Sequence, residues 1–565
     1  MAETFAVDFE GRTIEAHAGE SLAAALTAAG VRAFRTTRLD NERGMFCGMG
    51  VCQDCLVEVD GHANQRACMV KVDRPMSVAR EAHLRPLPAR PAGLAPRVIE
   101  DVAVETPEVL VVGAGPGGLS AAIAASRAGA KVVLLDERGQ PGGQYYKQLS
   151  TGPEVGPPPD AQHRAGAALV AEARAAGVDI RSGSLVWGAF EPREFAASDD
   201  AGTRRFEPSV AIVATGAYER GWPVPGWTLP GVMTTGAAQT LWRTARRLPG
   251  KRVVIAGNGP LNLQLAAELL SGGATVVAVV EAAAAPGVRN AADLLAMAAS
   301  APGLIAEGIR YARARQKGGA RMIHGMVVGG VEQAGGGLAI ELKAADGGSA
   351  RERLEADVLC LGYGFEPSNE LLRALGCGHD FDPVRRQLVT RRNAAGETDV
   401  EGVFALGDCT GLGGAKAALA EGTLAGLAAA ERLGRTLSPE LLADRASATK
   451  NFARHRRFQA ALWRLYAAPA YSATLATADT HICRCEEVSF GDIEQAIAEG
   501  MSGIGAVKRR TRAGMGRCQG RYCAPVLDAL LGERFGRDRD EFSGFAPRVP
   551  VKPISIEALA RLDRP

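Results

Sequence analysis

The 565-residue chain has almost no net charge: 65 Lys and Arg against 63 Asp and Glu leave +2 at neutral pH. That balance calls for neither a nucleic-acid partner nor a membrane surface. No apolar run reaches the roughly 18 residues that a transmembrane segment requires. The opening MAETFAVDFE lacks a basic region and an apolar signal core, so the expected location is cytoplasmic. Disulfides are rare in that compartment, and the eleven cysteines must then be read in another way. Length predicts about three or four domains, with 47% apolar residues to fill their cores.

Eight of the eleven cysteines fall into two quartets, one near each end. Cys47, Cys52, Cys55 and Cys68 are spaced C-x4-C-x2-C-x12-C within MFCGMGVCQDC and QRACM. The opening spacing matches the plant-type 2Fe-2S pattern, in which four thiolates converge on two irons. Gly48 and Gly50 give the loop freedom to wrap around them. Structural zinc is the alternative, but the paired C-x2-C or histidine partners of zinc motifs are missing. Upstream, FAVDFEGRTIEAHAGESLAAALTAAG alternates as a hairpin and then turns helical. The second quartet, Cys483, Cys485, Cys518 and Cys523, is spaced C-x-C-x32-C-x4-C. A helix is expected between its pairs, from Phe490 to Glu499, stopped by Gly500. Zinc or an empty site stays open here too.

Between the quartets, VLVVGAGPGGLSAAIAASRAGAKVVLLDE runs a buried strand into Gly113, Gly115, Pro116 and Gly118, then a helix and a second strand. Gly113 permits the tight turn, Gly115 the approach to a pyrophosphate, and Gly118 close helix packing, with the helix N-terminus facing the phosphates. Asp136, eighteen residues after Gly118, is the expected ribose acceptor, with Glu137 the runner-up. A second fingerprint, RVVIAGNGPLNLQLAAELLSGGATVVAVVE, keeps Gly257 and Gly259 but has Asn262 in the third glycine's place, and Glu281 one residue past the ribose position. NAD(P), a different adenine nucleotide and an empty site are all compatible with it.

VEGVFALGDCTGLGGAKAALAEG resembles the second flavin motif of the glutathione-reductase-like, two-dinucleotide-fold family, and AIVATGAYER its A-T-G connection. The resemblance implies FAD, with Asp408 of the Gly407–Asp408 pair on the ribityl chain and Thr215 and Gly216 beside the flavin. Gly143 and Gln144, in GGQYYKQ, stand where the chain approaches it; for Tyr145, Tyr146 and Lys147 surface packing is the plainer expectation. No C-x-x-C or C-x4-C pair separates the two fingerprints, so disulfide reduction is not expected.

The first quartet's segment resembles the N-terminal 2Fe-2S domains of molybdenum hydroxylases and of multi-subunit amine dehydrogenases. The second resembles the helical domain of bacterioferritin-associated ferredoxins, in the wider C-x4-C version attached to amine-oxidising flavoproteins and anaerobic glycerol-3-phosphate dehydrogenase. The whole chain, with WPVPGWTLPGVMTTGAAQTL at 222–241 as linker, is similar to the electron-transfer subunits of opine oxidases, proline and hydroxyproline dehydrogenases and hydrogen cyanide synthase, with the ferredoxin-like subunit fused. An α/β fold is therefore expected: a β-grasp 2Fe-2S domain (1–84), a proline-rich linker (85–106), a discontinuous FAD domain (107–248 and 356–440), a nucleotide domain (249–355), a helical connector (441–475), a helical 2Fe-2S domain (476–535) and a tail (536–565). The resemblance also implies a separate D-amino-acid-oxidase-like FAD subunit that oxidises the amine, and a quinone or ferredoxin-like carrier as acceptor. FMN at a subunit interface is compatible with it. A stand-alone NAD(P)H:acceptor reductase and an iron–sulfur sensor or scaffold are the alternatives. No catalytic residue is legible. KRRTR at 508–512 reads as solvated surface or a docking patch, and Cys360, Cys377 and Cys409 as buried fillers.

Overall fold

A computed structural model describes residues 3–81, 102–152, 155–190, 192–468 and 475–562. The N-terminal module is a five-stranded mixed sheet, in the order Arg12–His17, Thr4–Phe9, Met76–Arg80, Leu56–Val59, His62–Arg66. Alternation buries Val7 and Phe9 from one strand and Ile14 and Ala16 from the next. The helix Leu22–Ala28, capped by the Ser21 hydroxyl, seals that face with Leu22 and Leu26.

Two doubly wound units follow. The first is a parallel sheet ordered Asp179–Ser182, Val132–Asp136, Val109–Val112, Val210–Val213, Val403–Ala405. Its central strand VLVV is buried on both faces, as a parallel strand covered by helices must be. The helices Pro116–Arg127 and Ala415–Arg432 cross so tightly that a side chain on Gly422 would strike the Gly117 carbonyl oxygen at 2.2 Å. The second is a parallel sheet ordered Val232–Thr234, Val358–Gly362, Arg252–Gly257, Thr275–Glu281, Arg321–His324.

Domain limits differ from the sequence expectation in two places. The strands Val232–Thr234 and Val358–Gly362 belong to the second unit, which therefore extends past both 249 and 355. Three residues in a proline- and glycine-rich segment carry too little periodicity to reveal a strand. Residues 85–101 of the expected linker lie outside the described residues, whereas Ala103–Glu105 is already a strand beside Gly202–Phe206.

The long helix Pro439–Leu465 lies over the body and leads to the C-terminal module. There the hairpin His481–Cys483 and Val488–Ser489 precedes the helices Phe490–Ala498, Ile504–Thr511 and Ala524–Phe535. A reciprocal cap between Ser489 and Asp492 starts the first of them, and Gly500 follows its end in a left-handed conformation. The tail turns back onto the body: Val551 is buried, and its N–H donates to the Trp187 carbonyl at 2.8 Å.

Candidate functional site

The two cysteine loops, far apart in sequence, meet in space. Cys47, Cys52, Cys55 and Cys68 are all buried, as are Cys483, Cys518 and Cys523, with Cys485 partly exposed. In the first loop the Cys52 N–H donates to the Cys47 sulfur at 3.4 Å. In the second, the Cys485 sulfur lies 3.9 Å from that of Cys483 and 3.6 Å from that of Cys518. A side chain at Gly516 would come within 2.4 Å of the Cys485 sulfur, so only glycine fits there. Among the described residues no three His, Cys, Asp or Glu side chains are arranged around a single metal ion. Buried sulfurs in two glycine-bearing loops fit a binuclear cluster at each end.

One residue that sequence reasoning passed over joins the loops. Arg484, between the first two cysteines of the second quartet, pairs with Asp54 of the first cysteine loop, Nε to Oδ2 at 2.8 Å, and donates to the Trp227 carbonyl at 2.8 Å. Its guanidinium carbon lies 3.7 Å from the Phe46 ring centroid and 4.5 Å from that of Trp227. Burial alone would raise the Asp54 pKa, but Arg484, Arg35 and Arg43 hold it below the usual carboxylate range. Phe46 also meets Tyr522 edge-on at 5.4 Å, so the neighbours of Cys47 and Cys523 touch. A second latch closes on Glu487, which accepts from Thr37, Asn41, Arg43 and the Leu39 N–H. His481 contributes its carbonyl to Trp227 Nε1 at 2.8 Å.

A cavity of about 740 Å3 runs from the first cysteine loop into the first nucleotide unit. Its walls bring together every residue expected at the FAD site except Gly118: Gly113, Gly115, Pro116, Asp136, Glu137, Gly143, Gln144, Thr215, Gly216, Gly407 and Asp408. Gly118 packs instead against the Gly113 carbonyl, where a side chain would clash at 1.9 Å. Gly143, with φ +62°, lets GGQ fold so closely over Gly115 that a Cβ would stand 2.7 Å from the Gly115 Cα. Asp408 accepts the Gly413 and Gly414 N–H groups at 2.8 Å each, fixing the N-terminus of the helix Ala415–Arg432 at the cavity wall. Asp136 is engaged by the Ala114 and Arg138 N–H groups, and Glu137 by Arg66 and Lys552. The glycine cradle and the helix terminus fit a dinucleotide.

Tyr146 and Lys147 are buried, against the surface expectation. Lys147 donates to Gln239 Oε1 at 2.9 Å and the Gln144 carbonyl at 2.8 Å, and burial with Arg138 and Arg243 nearby brings its pKa down to about 7. Glu219, in the same wall, accepts the Gly236 N–H at 2.8 Å and is pushed by burial to about 7. A buried acid and a buried amine thus share the cavity wall with the first fingerprint and Cys47.

The second fingerprint is turned inward. Glu281 accepts from Asn258 Nδ2 at 2.7 Å and from the Gly259 and Ala283 N–H groups at 2.9 Å each. Asn262 accepts from Thr235 and reaches the Gly362 carbonyl, which makes it a buried bolt. Gly257 abuts Gly362, and none of Gly257, Gly259, Asn262 and Glu281 lines the cavity. Cys360, Cys377 and Cys409 are buried and unpaired.

Three family models match successive parts of the chain. Residues 107–422 match the model of the pyridine nucleotide-disulphide oxidoreductase family, residues 2–83 that of a 2Fe-2S iron-sulfur cluster binding domain, and residues 481–533 that of a BFD-like [2Fe-2S] binding domain. An opine oxidase subunit from Agrobacterium tumefaciens is 33% identical over 80% of this chain and 92% of its own length. Hydrogen cyanide synthase subunit HcnB of Pseudomonas aeruginosa is 33% identical over 80% and 98%. In fold, the chain is similar to L-proline dehydrogenase from P. horikoshii, with a TM-score of 0.71 over 99% of this chain and 98% of that one, at 19% identity. The chain belongs to the pyridine nucleotide-disulphide oxidoreductase family, as an FAD-binding member with a 2Fe-2S domain at each end.

Proposed function

We propose that this chain is the electron-transfer subunit of a multi-subunit amine or amino-acid dehydrogenase. A separate D-amino-acid-oxidase-like FAD subunit removes two electrons from a CH–NH or CH–NH2 donor, and this chain carries them to a quinone or ferredoxin-like carrier. The relatives named as subunits of opine oxidase and hydrogen cyanide synthase support the amine class and the hetero-oligomer.

The observation that carries the reading is the shared cavity, with Cys47, Met49 and Val51 on one wall and the FAD fingerprint on another. When bound, FAD and the clusters supply exchange between two-electron and one-electron chemistry. The chain's own residues do the rest. Gly113, Gly115 and the helix beginning at Pro116 seat the pyrophosphate, Asp408 fixes the helix terminus that faces the ring end, and Glu219 and Lys147 hold exchangeable protons beside it. Arg484, Asp54 and the aromatic side chains between the loops hold the two clusters in one packed unit.

Co-expression with the D-amino-acid-oxidase-like subunit tests the reading. Amine-dependent reduction of a soluble dye should require both subunits, whereas NADH added anaerobically to this chain alone should leave the flavin absorbance unbleached. Rapid stoichiometric bleaching by NADH would make it a stand-alone reductase instead.

A further inference from the structure

The cavity does not end at the flavin fingerprint. It continues into an annex walled by the helical hairpin of Ala291–Ser300 and Pro302–Lys317 and by one face of the helix Pro439–Leu465. Met297, Leu304, Ile305, Phe458 and Leu462 make the walls, and this apolar layer is a packed cluster of its own. An ion pair from Asp293 to Arg464 at 2.8 Å closes the hairpin onto the long helix.

Four polar side chains from these helices interrupt the apolar wall: Glu307 and Tyr311 of the hairpin, and His455 and Gln459 of the long helix. His455, 9% exposed, faces the cavity, and its Nδ1 has no hydrogen-bond partner. Burial, with Arg454 and Lys416 nearby, lowers its pKa, which keeps the imidazole neutral at pH 7. One turn on, Gln459 lies against Gly414, its amide nitrogen 2.6 Å from where a Cβ would stand. Gly414 caps the helix that Asp408 anchors, so both side chains sit at the ring end of the flavin site. A buried, unsatisfied donor or acceptor is costly, and a ligand that bonds to it recovers that cost.

We propose that the annex binds a lipophilic quinone, with its carbonyls on His455 and Gln459 and its ring and tail against the apolar walls. This rests on the function proposed above and names its acceptor. The hairpin and the long helix bring one carboxylate, Glu307, and no Lys or Arg to the cavity wall, which suits an uncharged ring with carbonyl acceptors better than an anionic ligand. A nucleotide would need cations for its phosphates, and of the Lys and Arg side chains on the cavity wall Lys416 is the one that bears on His455. The tail has an apolar exit: Leu294 lines the cavity yet is 40% exposed, and beside it Leu295 is 71% exposed and Val288 97%. The stoichiometry closes, since a CH–NH donor and a quinone give C=N and a quinol, two electrons and two protons passing from one to the other.

The test is binding of decylubiquinone to the full-length, FAD-loaded chain by equilibrium dialysis, with an azidoquinone photolabel to locate it. Saturable binding is expected, with label on peptides from 291–317 and 439–465. His455→Leu should weaken it about tenfold, His455→Gln should restore it, and Leu462→Trp, which fills the annex, should abolish it, with flavin content measured for each. Unsaturable partitioning, label confined to the outer surface, or affinity unchanged in both His455→Leu and Leu462→Trp would overturn the proposal. Binding is read without amine or partner subunit. Failure of amine-dependent dye reduction would therefore leave a quinone result standing, and loss of quinone binding would leave the dye result standing.

Discussion

Arg484 and Asp54, 430 residues apart in sequence, form an ion pair at 2.8 Å with side-chain exposures of 4% and 0%. Removing one partner strands the other charge in the core, a loss of about 3–5 kcal/mol for a buried pair. Arg484→Met should therefore destabilise the chain by that order, and the double variant Arg484→Met/Asp54→Asn by less than either single one. Urea unfolding with iron analysis reads the difference; strict additivity would show that the pair does not couple the modules.

Cys68→Ser should remove one of two electron paramagnetic resonance signals from the dithionite-reduced protein while the other signal and the FAD remain. Cys68 lies in the N-terminal module, and the flavin fingerprint has its own sheet and core. Loss of flavin in this variant would contradict that independence.

Glu219 links stability to pH. The unfolded chain gives up this proton near 4.5 and the folded one near 7. Stability therefore falls as pH rises between those values and stays low above them. Glu219→Gln should be more stable than the parent above pH 7 by up to about 3 kcal/mol, with the advantage shrinking toward pH 4.5. Denaturation midpoints at pH 5, 6, 7 and 8 measure it, and an advantage independent of pH would refute the assignment.

The second fingerprint should not take NADH. Asn258 donates to the Tyr466 carbonyl at 3.0 Å, which lays the end of the long helix against the glycine turn, and Glu281 is spent on the turn's own N–H groups. Equilibrium dialysis should find no saturable NADH site in the parent. A stoichiometric site would show that these bonds open.

Local spacing made the cofactor loops legible. Four cysteines within 22 residues, or three glycines spanning the turn from a strand into a helix, are patterns short enough to read along the chain. The partners of Arg484, Glu487 and Glu137 were not legible, because each contact joins segments with no sequence relation. Glu281 illustrates the same limit from the other side: its position suggested a ribose, and the direction of its carboxylate, inward to Gly259, is a tertiary fact. The hairpin around the annex gave no signal, since AADLLAMAAS has the composition of a buried helix, yet Leu295 faces solvent. Tyr146 and Lys147 went the other way, polar in sequence and buried in the fold.

The junction between the cysteine loops also sets a clock. Asp54 leaves the ribosome long before Arg484 exists; at about 5–20 residues per second, the interval is roughly 20–90 s. Through that interval the Phe46 face lacks the guanidinium and Tyr522 that later cover it, with Trp227 and the second nucleotide unit the first parts of its cover to be made. Once the C-terminal module docks, Cys47, Cys52 and Cys55 are at most 3% exposed. Iron delivery to the first loop thus has its easiest access during synthesis, and the last module to be made closes the door on the first.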